Sequence, residues 1–195
     1  MTAPSAPEPV RLRRTAGDRR AQLVQIGLEL LPTTPVQELT IDEVARRAGI
    51  SRSLLFHYFA TKREYYTAVT RAAADLLWEH LLPRPGTPRD ELVSGMLDRY
   101  VGWVETFRES HLAFVRGAAG GDPWVSEVYE DTRSRLVAVA LDALELPDDA
   151  RRRQLVLAWF AFTEDLVGHW ALEPTMSREE LLVLLRDVLD RLTAA

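Results

Sequence analysis

Apolar residues recur at intervals of three and four along almost the whole chain, the period of a helix that buries one face. Leu23, Ile26, Gly27, Leu30 and Leu31 follow this spacing and predict a helix over residues 16–31, which Pro32 and Pro35 then stop. Thr40 opens the next segment as an N-cap, with Glu43 three residues on to complete a capping box. Val44, Ala45 and Ala48 supply that helix's inner face, and Gly49 ends it where a residue free to take positive φ is needed. Ser51 caps a second short helix, Arg52 to about Tyr58, which buries Leu55 and Phe59.

From Thr61 a long apolar stripe runs through Tyr65, Ala68, Val69, Ala72, Leu76 and Leu77 to Leu82, where Pro83-Arg84-Pro85-Gly86 breaks it. Further helices are predicted over 88–108, 110–118, 123–146, 148–172 and 177–192. No run alternates with the period of two that a half-buried strand requires. The fold class is therefore all-α, with about nine helices: a three-helix head followed by a larger helical part. Residues 1–15 carry Pro4, Pro7, Pro9, Arg11, Arg13 and Arg14 without a buriable apolar face, and read as a disordered basic arm.

Composition narrows the function classes. The chain has no cysteine, which excludes disulfides, thiolate nucleophiles and cysteine-held metals. No apolar run approaches the roughly 20 residues of a membrane span, and the N-terminus lacks the apolar stretch of a signal peptide, so a cytoplasmic location and no membrane partner are expected. The net charge of -5 is unevenly spread. Residues 1–70 carry ten basic against seven acidic side chains, and residues 71–195 carry 14 against 22. Only the first part has the sign to approach phosphate.

Two short capped helices joined through Gly49 are the chemistry of a helix-turn-helix. The first braces the second through Val44, Ala48, Ile50 and Leu55, leaving the start of the second free to enter a major groove about 12 Å wide. Arg52 suits bidentate guanine readout, and Ser53 and Leu54 beside it complete the base-reading set. Thr40, His57, Tyr58 and Lys62, with Ser51 at the second cap, have the donors that fix a phosphate backbone. A plain helical hairpin is the competing reading.

The stretch Thr40, Ala45, Ala48, Gly49, Ile50, Ser51, Leu55, Phe56, Phe59 and Lys62 resembles the helix-turn-helix of the TetR family of bacterial repressors, over about residues 16–70. Phe56 stands where that family usually has tyrosine, which shifts the phosphate clamp to Tyr58. Ser53 and Leu54 stand where glycine and threonine are frequent, and Pro32 and Pro35 replace a glycine-containing loop. The resemblance implies a homodimeric repressor on double-stranded operator DNA, with residues 71–195 forming an effector-binding and dimerisation domain whose last two helices pair across a two-fold axis. On that reading Phe162, Leu166, Trp170, Leu181, Leu185 and Val188 face the partner, although core packing explains such stripes as well.

The effector expected is a small, largely apolar molecule held among Trp78, Trp103, Phe107, His111, Phe114, Trp124, Trp159 and Glu164. No cofactor, metal or catalytic residue is expected: the adjacent Glu164 and Asp165 diverge by about 100° on a helix and cannot converge with His169 on one ion. A constitutive or activating DNA binder without effector and a small helical enzyme or carrier are the alternatives.

Overall fold

A computed structural model describes residues 16–119 and 123–194; the basic arm expected over residues 1–15 lies outside them. Eight α-helices and no strand occur among the described residues: α1 (Ala16–Leu30), α2 (Ile41–Ala48), α3 (Arg52–Tyr58), α4 (Lys62–Leu81), α5 (Leu92–Ala119), α6 (Pro123–Ala143), α7 (Ala150–Leu172) and α8 (Arg178–Thr193). Single 3₁₀ turns at Val36–Glu38 and Arg89–Glu91 lead into α2 and α5.

Local chemistry sets the ends of these helices. Thr40, Ser51, Thr61, Asp149 and Ser177 each accept a hydrogen bond from the backbone N–H three residues on, satisfying a donor that the first turn leaves free. Gly49 closes α2 in the left-handed conformation, φ 65°. The expected reciprocal capping box at Thr40 is only half present, because the Glu43 carboxylate is drawn to Arg46 and Arg47 instead. The complete box forms at Ser177, where Glu180 returns to the cap's backbone N–H.

The helices expected over 88–108 and 110–118 are one helix. α5 runs through both and bends at Phe107, whose φ and ψ of -114° and 27° depart from helical values. Nothing between Trp103 and Arg116 is a proline or glycine, so the pattern holds no stop signal there. After α6, Glu145 takes the left-handed turn, φ 56°, that glycine usually supplies. The Leu146 N–H then bonds the Leu141 carbonyl, and Arg89 holds the Glu145 carboxylate at 3.0 Å.

The head has its own core, in which Leu23, Ile26 and Leu30 of α1 meet Val44 of α2, Leu55 of α3, and Tyr65, Tyr66 and Val69 of α4. Further along α4, Leu77 and Leu81 belong to a different cluster with Leu136 of α6. Val101, Val104, Trp159, Val167, Leu181 and Leu185 form the centre of the larger part. α4 is thus shared, packed into the head at one end and into the larger part at the other. Two tyrosines lock its first end: Tyr65 donates to the Leu23 carbonyl at 2.9 Å, and Tyr66 donates to the Leu39 carbonyl.

α1 and α4 touch at Gly27. A methyl group there would lie 2.5 Å from Cγ2 of Val69 and 2.7 Å from the Tyr65 hydroxyl, closer than atoms can approach. Gly27→Ala is expected to lower stability by about 1–3 kcal/mol, because overpacking a filled contact costs more than alanine's helix preference returns. Denaturant unfolding measures this, and an unchanged or higher midpoint contradicts it.

Candidate DNA-reading head and ligand cavity

α3 is held from behind. Leu55 and Phe59 are fully buried against α1, α2 and α4, so the opposite side of the helix is presented outward. Arg52, Ser53 and Leu54 stand exposed there on the first turn, Leu54 with 39% of its surface free. In the free protein Arg52 is not idle: its guanidinium lies 3.4 Å from the Asp42 carboxylate and 5.6 Å from the centre of the Phe56 ring. Both partners are exposed, so the pair is worth little in water.

The other residues expected at DNA flank this face. Thr40 and Ser51 are exposed with their hydroxyls committed to the caps of α2 and α3. His57 and Tyr58 stand edge to face, 5.5 Å between ring centres, His57 exposed and Tyr58 half-buried. The Lys62 ammonium sits over the Tyr66 ring at 4.9 Å, exposed at the start of α4. Of the eight side chains expected at DNA, seven are exposed and Tyr58 is half-buried.

A small cavity of about 70 Å³ lies among α4, α5, α6 and α7. Of the eight residues expected at a ligand, His111, Phe114, Trp159 and Glu164 line it. Trp103 and Phe107 line instead a neighbouring cleft toward the head, which His111 and Phe114 also reach. Trp78 lines neither, being stacked under the Arg135 guanidinium at 4.2 Å, and Trp124 is drawn away to pack on the head's core. The sequence reading missed Tyr100, Arg133 and Thr163, all on the cavity wall. Tyr100 and His111 are eleven residues apart, three helical turns, which places both on one face of α5 and was a legible signal.

Polar groups in this cavity pair with one another. The Tyr100 hydroxyl and Nε2 of His111 are 2.9 Å apart, and the Tyr129 hydroxyl donates to Glu164 at 2.5 Å. Arg133 lies over the Tyr129 ring at 5.0 Å and donates to the Leu157 carbonyl. The Thr163 hydroxyl is buried with no hydrogen-bond partner. Burial pushes the Tyr100 and Tyr129 phenols up, and raises the Glu164 carboxyl against the opposing pull of Tyr129 and Arg133. Burial alone holds the His111 imidazole down at about 4, so it is neutral at pH 7.

The six residues expected to face a partner divide. Trp170, Leu181 and Leu185 are buried inside the chain and do not reach its surface, while Phe162 is exposed and Leu166 and Val188 are half-buried. Trp170 donates its indole N–H to the Met176 carbonyl at 2.8 Å, anchoring the loop between α7 and α8. Among the described residues no helix is long and apolar enough to cross a membrane, and no three side chains group to hold a metal ion.

The neutral His111 makes stability depend on pH. Below its ordinary value of 6.5 the unfolded chain takes up a proton that the folded chain refuses until about pH 4. Stability is therefore full above 6.5 and falls by about 3 kcal/mol as pH drops through that window. Glu164 works in the opposite sense: its raised carboxyl favours the fold at low pH and loses that contribution as pH rises. Comparing wild type with His111→Gln isolates the histidine, and the variant is expected to lose less stability between pH 6.5 and 4. Parallel stability profiles of the two proteins contradict the assignment.

Comparison with known proteins agrees with both parts of this arrangement. The family model described as "Bacterial regulatory proteins, tetR family" matches residues 24–69, and the "Tetracyclin repressor-like, C-terminal domain" model matches residues 88–190. The HTH-type transcriptional regulator BetI of Klebsiella pneumoniae (strain 342) is 29% identical over 122 residues, a match covering 63% of this chain and 62% of the relative. BetI of Escherichia coli O139:H28 is 28% identical over 158 residues, 78% of this chain and 80% of the relative. Among solved structures, a tetR-family transcriptional regulator from Streptomyces coelicolor superposes with a TM-score of 0.81 at 27% identity, covering 93% of this chain and 82% of that one. The multidrug binding protein EbrR complexed with proflavin shares the fold, with a TM-score of 0.64 at 19% identity over 89% of this chain and 99% of that one. With its helix-turn-helix head and its larger helical part both matched, the chain belongs to the TetR family of DNA-binding transcriptional regulators.

Proposed function

We propose that the protein is a homodimeric repressor that releases its operator when a small, largely apolar ligand enters the cavity among α4 to α7. The observation that carries this reading is the continuity of α4. Its twenty residues span about 30 Å without a break, with Lys62 beside the reading helix at one end and Leu77 and Leu81 in the cavity wall at the other.

The cavity's size supplies the coupling. At about 70 Å³ it is well below the roughly 300–1,000 Å³ of pockets that hold drug-sized ligands. A ligand has to part the walls, so its uptake and the displacement of α4 are one event. A dimer reads two half-sites about 34 Å apart, and a ligand that favours another spacing of the heads weakens DNA binding by reciprocal linkage, commonly by about 1–3 kcal/mol. The proflavin complex of EbrR, which shares the fold, supports a small-molecule reading.

The dimer is assigned to the outer side of α7 and α8, where Phe162, Val183 and Leu184 expose 38%, 56% and 37% of their surfaces. Leu166 and Val188 sit beside them, backed by the buried Trp170, Leu181 and Leu185. An apolar face of this kind is stable in water when the same face of a second copy covers it.

Recovering bound DNA from a genomic library identifies the operator, after which two variants separate the roles within the head. Arg52→Ala is expected to cost about 1–3 kcal/mol on operator and to relax the preference at one base pair, whereas Lys62→Ala weakens operator and scrambled DNA alike. Equal losses on both sequences for Arg52→Ala contradict its base-reading role. Val183→Glu combined with Phe162→Glu is expected to convert the dimer to a monomer in sedimentation. A dimer that persists refutes the α7–α8 interface.

A further inference from the structure

Between the head and the larger part lies the second cavity, of about 260 Å³. Its walls come from both sides of the joint: Leu28 of α1 and Pro32 just after it, Ala73 and Leu77 of α4, and Trp103 and Phe107 of α5. This cleft is nearly four times the size of the inner cavity, so a small molecule enters it without moving the helices.

The chemistry of the walls is selective. Trp103 and Phe107 lie 4.3 Å apart at 32° to one another, an aromatic wall suited to a flat ring. Glu29 is the one carboxylate among the lining side chains and no lysine or arginine accompanies it. A cation is therefore attracted and an anion repelled. On the α4 wall the Thr70 hydroxyl is buried with no hydrogen-bond partner, a polar group whose desolvation nothing offsets. The cleft also sits on the contact that joins the two parts, since the Ser110 hydroxyl of α5 donates to the Leu31 carbonyl at the end of α1.

We propose that this cleft is a second ligand site, for a planar aromatic amine of about two fused rings, and that its occupant fastens the head to the larger part. The rings lie against Trp103 and Phe107, the amino group turns toward Glu29, and α1, α4 and α5 are bridged by one molecule. Because this occupant fits the helices as they stand, it favours the present arrangement over any that separates them. Given the ligand-release reading above, on which this consequence alone depends, the two ligands oppose each other: filling the cleft raises the concentration of inner ligand needed to displace α4.

The probes are 4-aminoquinoline and the anion of matching shape, quinoline-4-carboxylate, titrated into the full chain by calorimetry. The amine is expected to bind one site per chain about fivefold or more tighter than the carboxylate, the discrimination that one partly exposed charge supplies. Glu29→Gln, an exposed change that leaves the fold alone, is expected to bring the two affinities together, and Ala73→Leu, which fills the cleft, to abolish amine binding. Hydrogen exchange reads the fastening: amides of α1 near Leu28 to Leu31 exchange more slowly with the amine bound. Equal affinities in wild type, selectivity that survives Glu29→Gln, or unchanged exchange in α1 each overturn the proposal. These readouts need neither DNA nor the inner ligand, so failure of operator release leaves them intact and their failure leaves operator release intact.

Discussion

The head keeps its place because α1 offers no side chain at Gly27. The Val69 and Tyr65 side chains of α4 pack directly onto the α1 backbone there, and the Tyr65 hydroxyl reaches the Leu23 carbonyl. Tyr66 adds a second tie from the next position, to Leu39 in the turn before α2. Leu39 lies between helices, so Tyr66 gives its carbonyl a partner that no helix supplies, while Tyr65 adds a second donor to a carbonyl inside α1. α2 and α3 then pack on a platform already fixed to α4. A rigid connection from the reading helix to the rest of the protein rests on this one approach.

A second, weaker contact joins the head to α5. Ser110 reaches the end of α1 from a helix that has just bent at Phe107, and without the bend its following turns would point elsewhere. The same bend sets Trp103 and Phe107 on the cleft and His111 and Phe114 where cleft and inner cavity meet. The interior thus has two compartments with shared walls, one nearly closed and holding paired polar groups, the other roomier and mostly apolar. α4 lines both.

Much of the head was legible from local chemistry. Caps at Thr40 and Ser51, and the left-handed turn at Gly49, are decided by a few neighbouring atoms, and sequence records such decisions well. Helices whose ends depend on distant partners were harder. The stretch from Trp103 to Arg116 holds no proline or glycine, yet periodicity splits it into two helices, and Glu145 ends its turn in a conformation that its side chain does not announce. Periodicity marks an apolar face but not what covers it. Trp170, Leu181 and Leu185 carry the same spacing as residues on the outer side of α7 and α8, and only the packed structure shows that they are enclosed within one chain. Trp124 likewise had the composition of a pocket residue and packs on the head instead.

The polar pairs of the inner cavity show why small size and closed walls belong together. Tyr129 satisfies Glu164, Tyr100 satisfies His111, and Arg133 bonds a backbone carbonyl, so the closed state pays little for their burial. The Thr163 hydroxyl and Nε of Arg133 are the exceptions, buried with no hydrogen-bond partner. A molecule that opens the cavity must match what these pairs give one another or leave them unsatisfied, at about 1–3 kcal/mol for each group. Apolar contact with Leu77, Leu81 and Leu136 is then the gain that offsets parting the walls, and a partner for Thr163 adds to it without breaking any existing bond. On the proposed ligand-release reading, shape and apolar area therefore govern binding, with the polar pairs acting to reject molecules that disturb them.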